Sequence, residues 1–236
     1  MTGRVAGTER MTVAGRLEVP VGTRALLFDM DGVLIDSLTQ DYRIATTLLS
    51  PYADRPVEVP RELVRRWFAL SLDDFWATIA AELGITLSPS ELAEIVQRHT
   101  EIRRTEAPIV HDGVRDIIDA ARQAGLGRVV VSNNPAAEIE RMLAACDLLA
   151  GFDAVVGNDQ PGLARKPAPD PYLAAAARLG LPPSDCAAIE DSVLGLESAR
   201  RAGCFTVGVA TGANTYEDLV GSGLADVCYP DLRGGR

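Results

Sequence analysis

The chain has almost no lysine: of its 23 basic residues, every one except Lys166 is arginine. Ammonium and guanidinium groups do not substitute for one another at a tight site, so the single lysine stands out. Histidine is equally scarce, limited to His99 and His111. The four cysteines, Cys146, Cys186, Cys204 and Cys228, show no CxxC spacing. At least three fall in apolar runs, where a free thiol acts as a small hydrophobe. That favours buried, reduced cysteines over a zinc site or a disulfide. No apolar run approaches the ~20 residues that a membrane span requires. Residues 1–22 lack the apolar stretch of a signal peptide and read as a flexible leader, which leaves the cytoplasm as the expected compartment. A basic excess is missing too. The net charge of -10 argues against nucleic-acid or anionic-membrane partners, both of which are held by dense basic patches. A phosphorylated small molecule stays open as a partner, because a bound metal ion can reverse the sign of a pocket locally. Nothing points to an oligomer, and a monomer is the default expectation.

What is present suits a globular protein of one large or two small domains, 47% hydrophobic and 24% charged. Short apolar strand candidates recur at residues 24–29, 128–132, 154–157, 187–190, 205–209 and 226–229. Several are apolar on both faces, as buried parallel strands are. Helical patterns separate them. Asn134 as N-cap with Pro135 after it starts one helix. Val114, Ile117, Ile118 and Ala121 stripe another, which Gly125 stops. Repeating β-α units of this kind predict an α/β fold with a doubly wound, Rossmann-like parallel sheet.

One stretch interrupts the alternation. Residues 38–108 read as almost wholly helical and are far longer than a crossover helix. Leu72, Phe75, Ile79 and Leu83 form one apolar stripe, and Leu92, Ile95, Val96 and His99 another. Ser88-Pro89-Ser90-Glu91 reads as a capping box that opens the second. The expected organisation is a flexible leader over 1–22, a catalytic core from 23–37 and 109–236, and an inserted helical domain over 38–108.

Ligands of an open parallel sheet sit beyond the carboxyl ends of its strands. The polar residues at those ends are Asp29 and Asp31, then Ser132 and Asn133, then Lys166 in the loop after the third strand, then Glu190 and Asp191. Like charges ~4 Å apart at an effective dielectric of ~20 cost about 4 kcal/mol per pair, so four neighbouring carboxylates call for a cation. Oxygen ligands with no nearby Cys or His point to a hard ion, and Mg2+ suits a site that also holds phosphate. An aspartate could then attack phosphorus and form an aspartyl-phosphate. The carboxylate two residues along could protonate the leaving oxygen and later deprotonate water. Lys166 would neutralise charge on nucleophile and phosphate, while Ser132, Asn133 and adjacent N–H groups would hold phosphate oxygens. Taken singly, each motif has a plain structural alternative as a helix cap or a solvated turn. Their joint order along successive strand ends favours chemistry.

These segments resemble the haloacid dehalogenase-like superfamily. LLFDMDGVLIDS (26–37), VVVSNN (129–134), KPAPDPY (166–172) and IEDSVLGLESARRAG (189–203) match its four motifs. The match spans roughly residues 24–230. The helical insertion resembles the family's C1 cap, found in the branch of β-phosphoglucomutase and phosphoglycolate phosphatase. The resemblance implies Asp29 as nucleophile and Asp31 as general acid/base. It implies Mg2+ held by Asp29, the Asp31 backbone carbonyl and Asp191, with Glu190 in or near that shell, and Ser132 and Lys166 on the phosphoryl group. Gly195, Ala199 and Ala202 are expected to let their helix approach the sheet.

The mutase branch carries a histidine ten residues past the acid/base aspartate, where this chain has Asp41. It also uses a cap lysine, which this cap lacks, and its cap loop corresponds here to Ala69-Leu70-Ser71-Leu72. The expectation is therefore a Mg2+-dependent phosphatase acting on a small phosphorylated metabolite. The alternatives are phosphoglucomutase-like transfer and a non-catalytic binding module. Asp41 and Arg43 are the candidate substrate contacts in the cap. His99 reads as a buried structural histidine, and Arg103 and Arg104 as a solvated face.

Overall fold

The structure, a computed structural model, describes residues 9–67 and 71–233. Residues 1–8 of the expected leader, 69–70 of the cap loop and 234–236 of the expected core lie outside the described residues. Six strands form one parallel sheet in the order β5-β4-β3-β6-β7-β8. They are β3 (Ala25–Phe28), β4 (Gly127–Val131), β5 (Ala154–Val156), β6 (Cys186–Glu190), β7 (Phe205–Val209) and β8 (Val227–Tyr229). The alternation of side chains along a strand sorts them between two cores. Leu26 and Phe28 face the cluster built with α5 (Val114–Gln123) and α6 (Ala136–Ala145). Ala25 and Leu27 face the cluster built with α7 (Asp170–Arg178) and α8 (Val193–Ala202). Helices thus cover both faces, as the doubly wound reading expects. The α5 stripe is buried as its spacing predicts, and Gly125 follows the helix at a φ of +70°.

Between β3 and α5 the chain forms α1 (Ser37–Leu49), α2 (Arg61–Trp67), α3 (Leu72–Glu82) and α4 (Pro89–Thr105). Asp36 caps α1 by accepting from the Thr39 N–H, and Ser88 and Glu91 make the reciprocal capping box of α4. These helices bury a cluster of their own around Leu48, Val64, Trp76 and Ile79. The two chains that connect them to the sheet pair with each other. The Asp36 N–H donates to the Ile109 carbonyl at 2.7 Å and the His111 N–H to the Leu34 carbonyl at 3.1 Å, beside an antiparallel bridge between Ile35 and Val110.

Residues 10–20, expected within a flexible leader, instead form a hairpin of β1 (Arg10–Val13) and β2 (Leu17–Pro20). Val13, Leu17 and Val19 are buried in the core shared with α5 and α6, and the Tyr229 hydroxyl accepts from the Glu18 N–H at 2.9 Å. Leu17 and Val19 alternate with Glu18 and Pro20, a period-two pattern too short to stand out in sequence. Cys146, Cys186 and Cys204 are buried free thiols, and Cys228 is half-buried. No helix among the described residues is long and apolar enough to cross a membrane.

Candidate active site

Strand register brings the site together. Phe28 pairs with Val130 on one side and Ile189 on the other, so Asp29 emerges between Val131 and Glu190. Lys166 reaches this point from the loop after β5. Its ammonium donates to Asp29 Oδ1 at 2.5 Å, to Glu190 Oε1 at 2.6 Å and to the Val131 carbonyl at 2.8 Å. All three of its protons are engaged.

Glu190 is fully buried, and its Oε1 also accepts from the Tyr172 hydroxyl at 2.5 Å. A Cβ at position 195 would lie 2.0 Å from the Glu190 carboxylate, so Gly195 is required there by Glu190 itself. Asp191 Oδ2 accepts from the Ala213 N–H at 2.6 Å, and a Cβ on Gly212 would stand 2.0 Å from that oxygen. The close approach of α8 to the sheet at Gly195 thus leaves room for a buried carboxylate.

Asp29, Glu190 and Asp191 each bring a carboxylate oxygen within 4.8 Å of the other two. The ammonium donates to two of these three carboxylates, and the protonation energetics show the deficit. Burial, and then the Glu190 charge, push Asp191 up to about 7. Burial raises Asp29 as well, with Glu190 and Asp191 together opposing the pull of Lys166. Burial works against the Lys166 charge, yet Asp29 and Glu190 outweigh it and hold the ammonium above its ordinary value. The lysine sees several anions, while Asp29 and Asp191 each see burial, other anions and one cation. A buried, oxygen-only donor set with excess negative charge fits a hard cation.

Asp31 is held separately. Its Oδ2 accepts from Asn134 Nδ2 at 2.6 Å, and its Oδ1 from the Ser37 hydroxyl, with Arg103 Nη2 at 3.5 Å. Its carboxylate is not one of the three that converge. The two aspartates of the first motif therefore have different surroundings.

A cavity of about 670 Å3 opens over these strand ends and is roofed by α1, α3 and α4. Asp29, Asp31, Asp41, Ser132, Asn133, Lys166 and Asp191 all line it. Ser132 is buried, and its hydroxyl accepts from the Asn134 backbone and side-chain N–H groups. Asn133 Oδ1 accepts from the Lys166 N–H at 3.2 Å, which ties the second motif to the third. Glu190 reaches the cavity through Lys166. Arg43 does not join it: two residues past Asp41 on α1, it points to the opposite, exposed side.

Three members escaped the sequence reading. Asn134, expected as an N-cap, sends its side chain to Asp31 and Ser132, and Pro135 takes the cap position of α6. Arg103, expected on a solvated face, lines the cavity among Asp31, Gln40 and Asp41. Tyr172, named only as the last residue of the third motif, brings its hydroxyl to Glu190. His99 is buried as expected, and it borders the cavity. Its Nδ1 accepts from Trp76 Nε1 at 3.1 Å, which leaves Nε2 to donate to Asp41 Oδ1 at 3.1 Å.

A profile of haloacid dehalogenase-like hydrolases matches residues 23–203. The chain belongs to that family. It is a hydrolase, and the motif resemblance is borne out. The haloacid dehalogenase-like chain is 30% identical over 235 residues to the protein CbbY of Rhodobacter capsulatus, covering 89% of this chain and 93% of that one. It is 29% identical over 196 residues to a phosphoglycolate phosphatase of Xylella fastidiosa, covering 83% of each. Its fold is similar to that of a hydrolase of the same family from Deinococcus radiodurans, solved with bound phosphate and sodium. That likeness has a TM-score of 0.77 at 24% identity, over 89% of this chain and 92% of the other.

Proposed function

We propose that the protein is a Mg2+-dependent phosphatase that hydrolyses a small phosphorylated metabolite through an aspartyl-phosphate on Asp29. The observation that carries this reading is the contrast between the two aspartates of one strand end. Asp29 lies in the carboxylate cluster against Lys166, whereas Asp31 is held by Ser37, Asn134 and Arg103 at the edge of the same cavity. Two carboxylates in different environments can take different roles, one as nucleophile and one as acid/base.

Asp29, Asp191 and the Asp31 backbone carbonyl, with Glu190 alongside, would hold Mg2+, which supplies the positive charge that lets a carboxylate approach an anionic phosphorus. Lys166 orients Asp29 and meets the phosphoryl oxygens, and Ser132 with the N–H groups after β4 holds those oxygens in line. Asp31 gives a proton to the departing oxygen, then takes one from the water that attacks the aspartyl-phosphate. Residues 38–108 act as a cap whose helices close over the strand ends and exclude bulk water. Residues 23–37 and 109–236 supply the chemistry. Phosphoglucomutase-like transfer is less well supported. Asp41 stands where that branch has a histidine, and it is already engaged by His99 and Arg103.

The test is phosphate release over a panel of phosphorylated metabolites with Mg2+, ranked by kcat/KM. At least one alkyl phosphate is expected to be hydrolysed with a clear preference over the others. A panel in which no compound is hydrolysed faster than it is by Asp29→Asn would overturn the reading.

A further inference from the structure

Arg103 leaves the last turn of α4 and crosses from the helical insertion to the loop that carries Asp31. Its guanidinium has three neighbours: Gln40 Oε1 at 3.2 Å from Nη1, Asp31 Oδ1 at 3.5 Å from Nη2, and Asp41 Oδ1 at 3.5 Å from Nε. The side chain is mostly covered, at 22% exposure. Asp41 is itself fixed from behind. His99 donates to the same Asp41 oxygen, and Trp76 donates to His99. Asp41, His99 and Trp76 are all buried, and leaving any of them unpaired in such a place is costly.

We propose that Arg103, anchored by Asp41, is a positioning residue that sets the Asp31 carboxylate for proton transfer to the leaving group. The inference rests on the reading of Asp31 as acid/base. Ser37 at the start of α1 and Asn134 after β4 also hold Asp31, and Arg103 is the contact that ties its geometry to the seating of α4. The planar fork meets Gln40, Asp31 and Asp41 from three separate nitrogens, whereas a lysine would have to reach all three from one. Small losses of alignment at a proton donor reduce rate without removing the chemistry.

Its signature is leaving-group dependence. Departure of an alkoxide needs a proton, and departure of 4-nitrophenolate needs little help. kcat/KM for each ester reports the steps up to that departure. The experiment compares 4-nitrophenyl phosphate with the best alkyl phosphate of the panel for Arg103→Ala, Arg103→Lys, Asp41→Asn and Asp31→Asn, with melting temperatures for each. Arg103→Ala is expected to lower kcat/KM for the alkyl ester at least about tenfold more than for the aryl ester, within the range of general acid catalysis. Arg103→Lys, which keeps the charge without the fork, should restore less than half of that difference. Asp41→Asn, nearly unchanged in volume, should show the same preference more weakly, and it carries the test if Arg103→Ala does not fold. Equal losses on both esters, or no loss on either, would overturn the inference. The Asp31→Asn variant separates the two levels. If it shows no leaving-group dependence, the acid/base reading fails. If it does and the Arg103 variants do not, only the role of Arg103 fails.

Discussion

Tyr172 donates its hydroxyl to Glu190 Oε1 at 2.5 Å, on the same oxygen that receives the Lys166 ammonium at 2.6 Å. Burial first, and then the Glu190 charge, push the phenol well above its ordinary pKa, so it stays a donor. The phenol and the ammonium share one anchor, and that anchor places the lysine against Asp29.

Tyr172→Phe is therefore expected to weaken both stability and turnover. A hydrogen bond to a charged group contributes about 1.5–3 kcal/mol. At about 2–4 °C per kcal/mol for a chain of this size, Tm should fall by roughly 3–12 °C. Turnover should fall less than in Lys166→Ala, because Glu190 keeps its contact with the lysine. Calorimetry and steady-state kinetics check both, and an unchanged Tm would show that the phenol does not support Glu190.

Lys166→Arg should be nearly as damaging as Lys166→Ala, although it keeps the charge. The ammonium fits among three acceptors at 2.5–2.8 Å, and a planar guanidinium is too wide to meet all three from one position. Retention of more than about a third of the wild-type kcat/KM by the Arg variant would mean that charge alone suffices there.

Metal and pH should act together on stability. Asp191 sits at about 7 in the folded chain against an ordinary 3.8, and Asp29 is raised in the same direction. Between those values the folded state keeps protons that the unfolded state has released. The metal-free protein should therefore lose stability as pH rises through that window. Mg2+ requires the ionised carboxylates, so the Tm gained on replacing EDTA with Mg2+ should be larger near pH 8 than near pH 5. Equal gains at the two pH values would contradict a cation site built on these carboxylates.

The sheet was legible because its strands are apolar on both faces and end in polar residues, as in RVVVS over 128–132. Asp29, Glu190 and Asp191 were legible because strand ends in a parallel sheet converge, and Lys166 because it is the single lysine of the chain, in the loop after the third strand. Arg103 was not. It is brought to Asp31 by the packing of α4 against α1, and nothing within α4 distinguishes it from Arg104. The hairpin at 10–20 was missed because its two strands are four residues each, and their burial depends on a distant core. Tyr172 carries a polar tip that only the tertiary position of Glu190 reveals.

The central claim is that Asp29 forms the bond to phosphorus, and the most direct measurement is phosphate release by Asp29→Asn on the best substrate of the panel. The substitution changes almost no volume and removes the nucleophilic oxygen, so the fold should persist with an unchanged circular dichroism spectrum. Turnover should fall below about a thousandth of wild type, given the barrier that phosphate monoester hydrolysis presents. A folded Asp29→Asn protein that releases phosphate faster than that would contradict the aspartyl-phosphate mechanism.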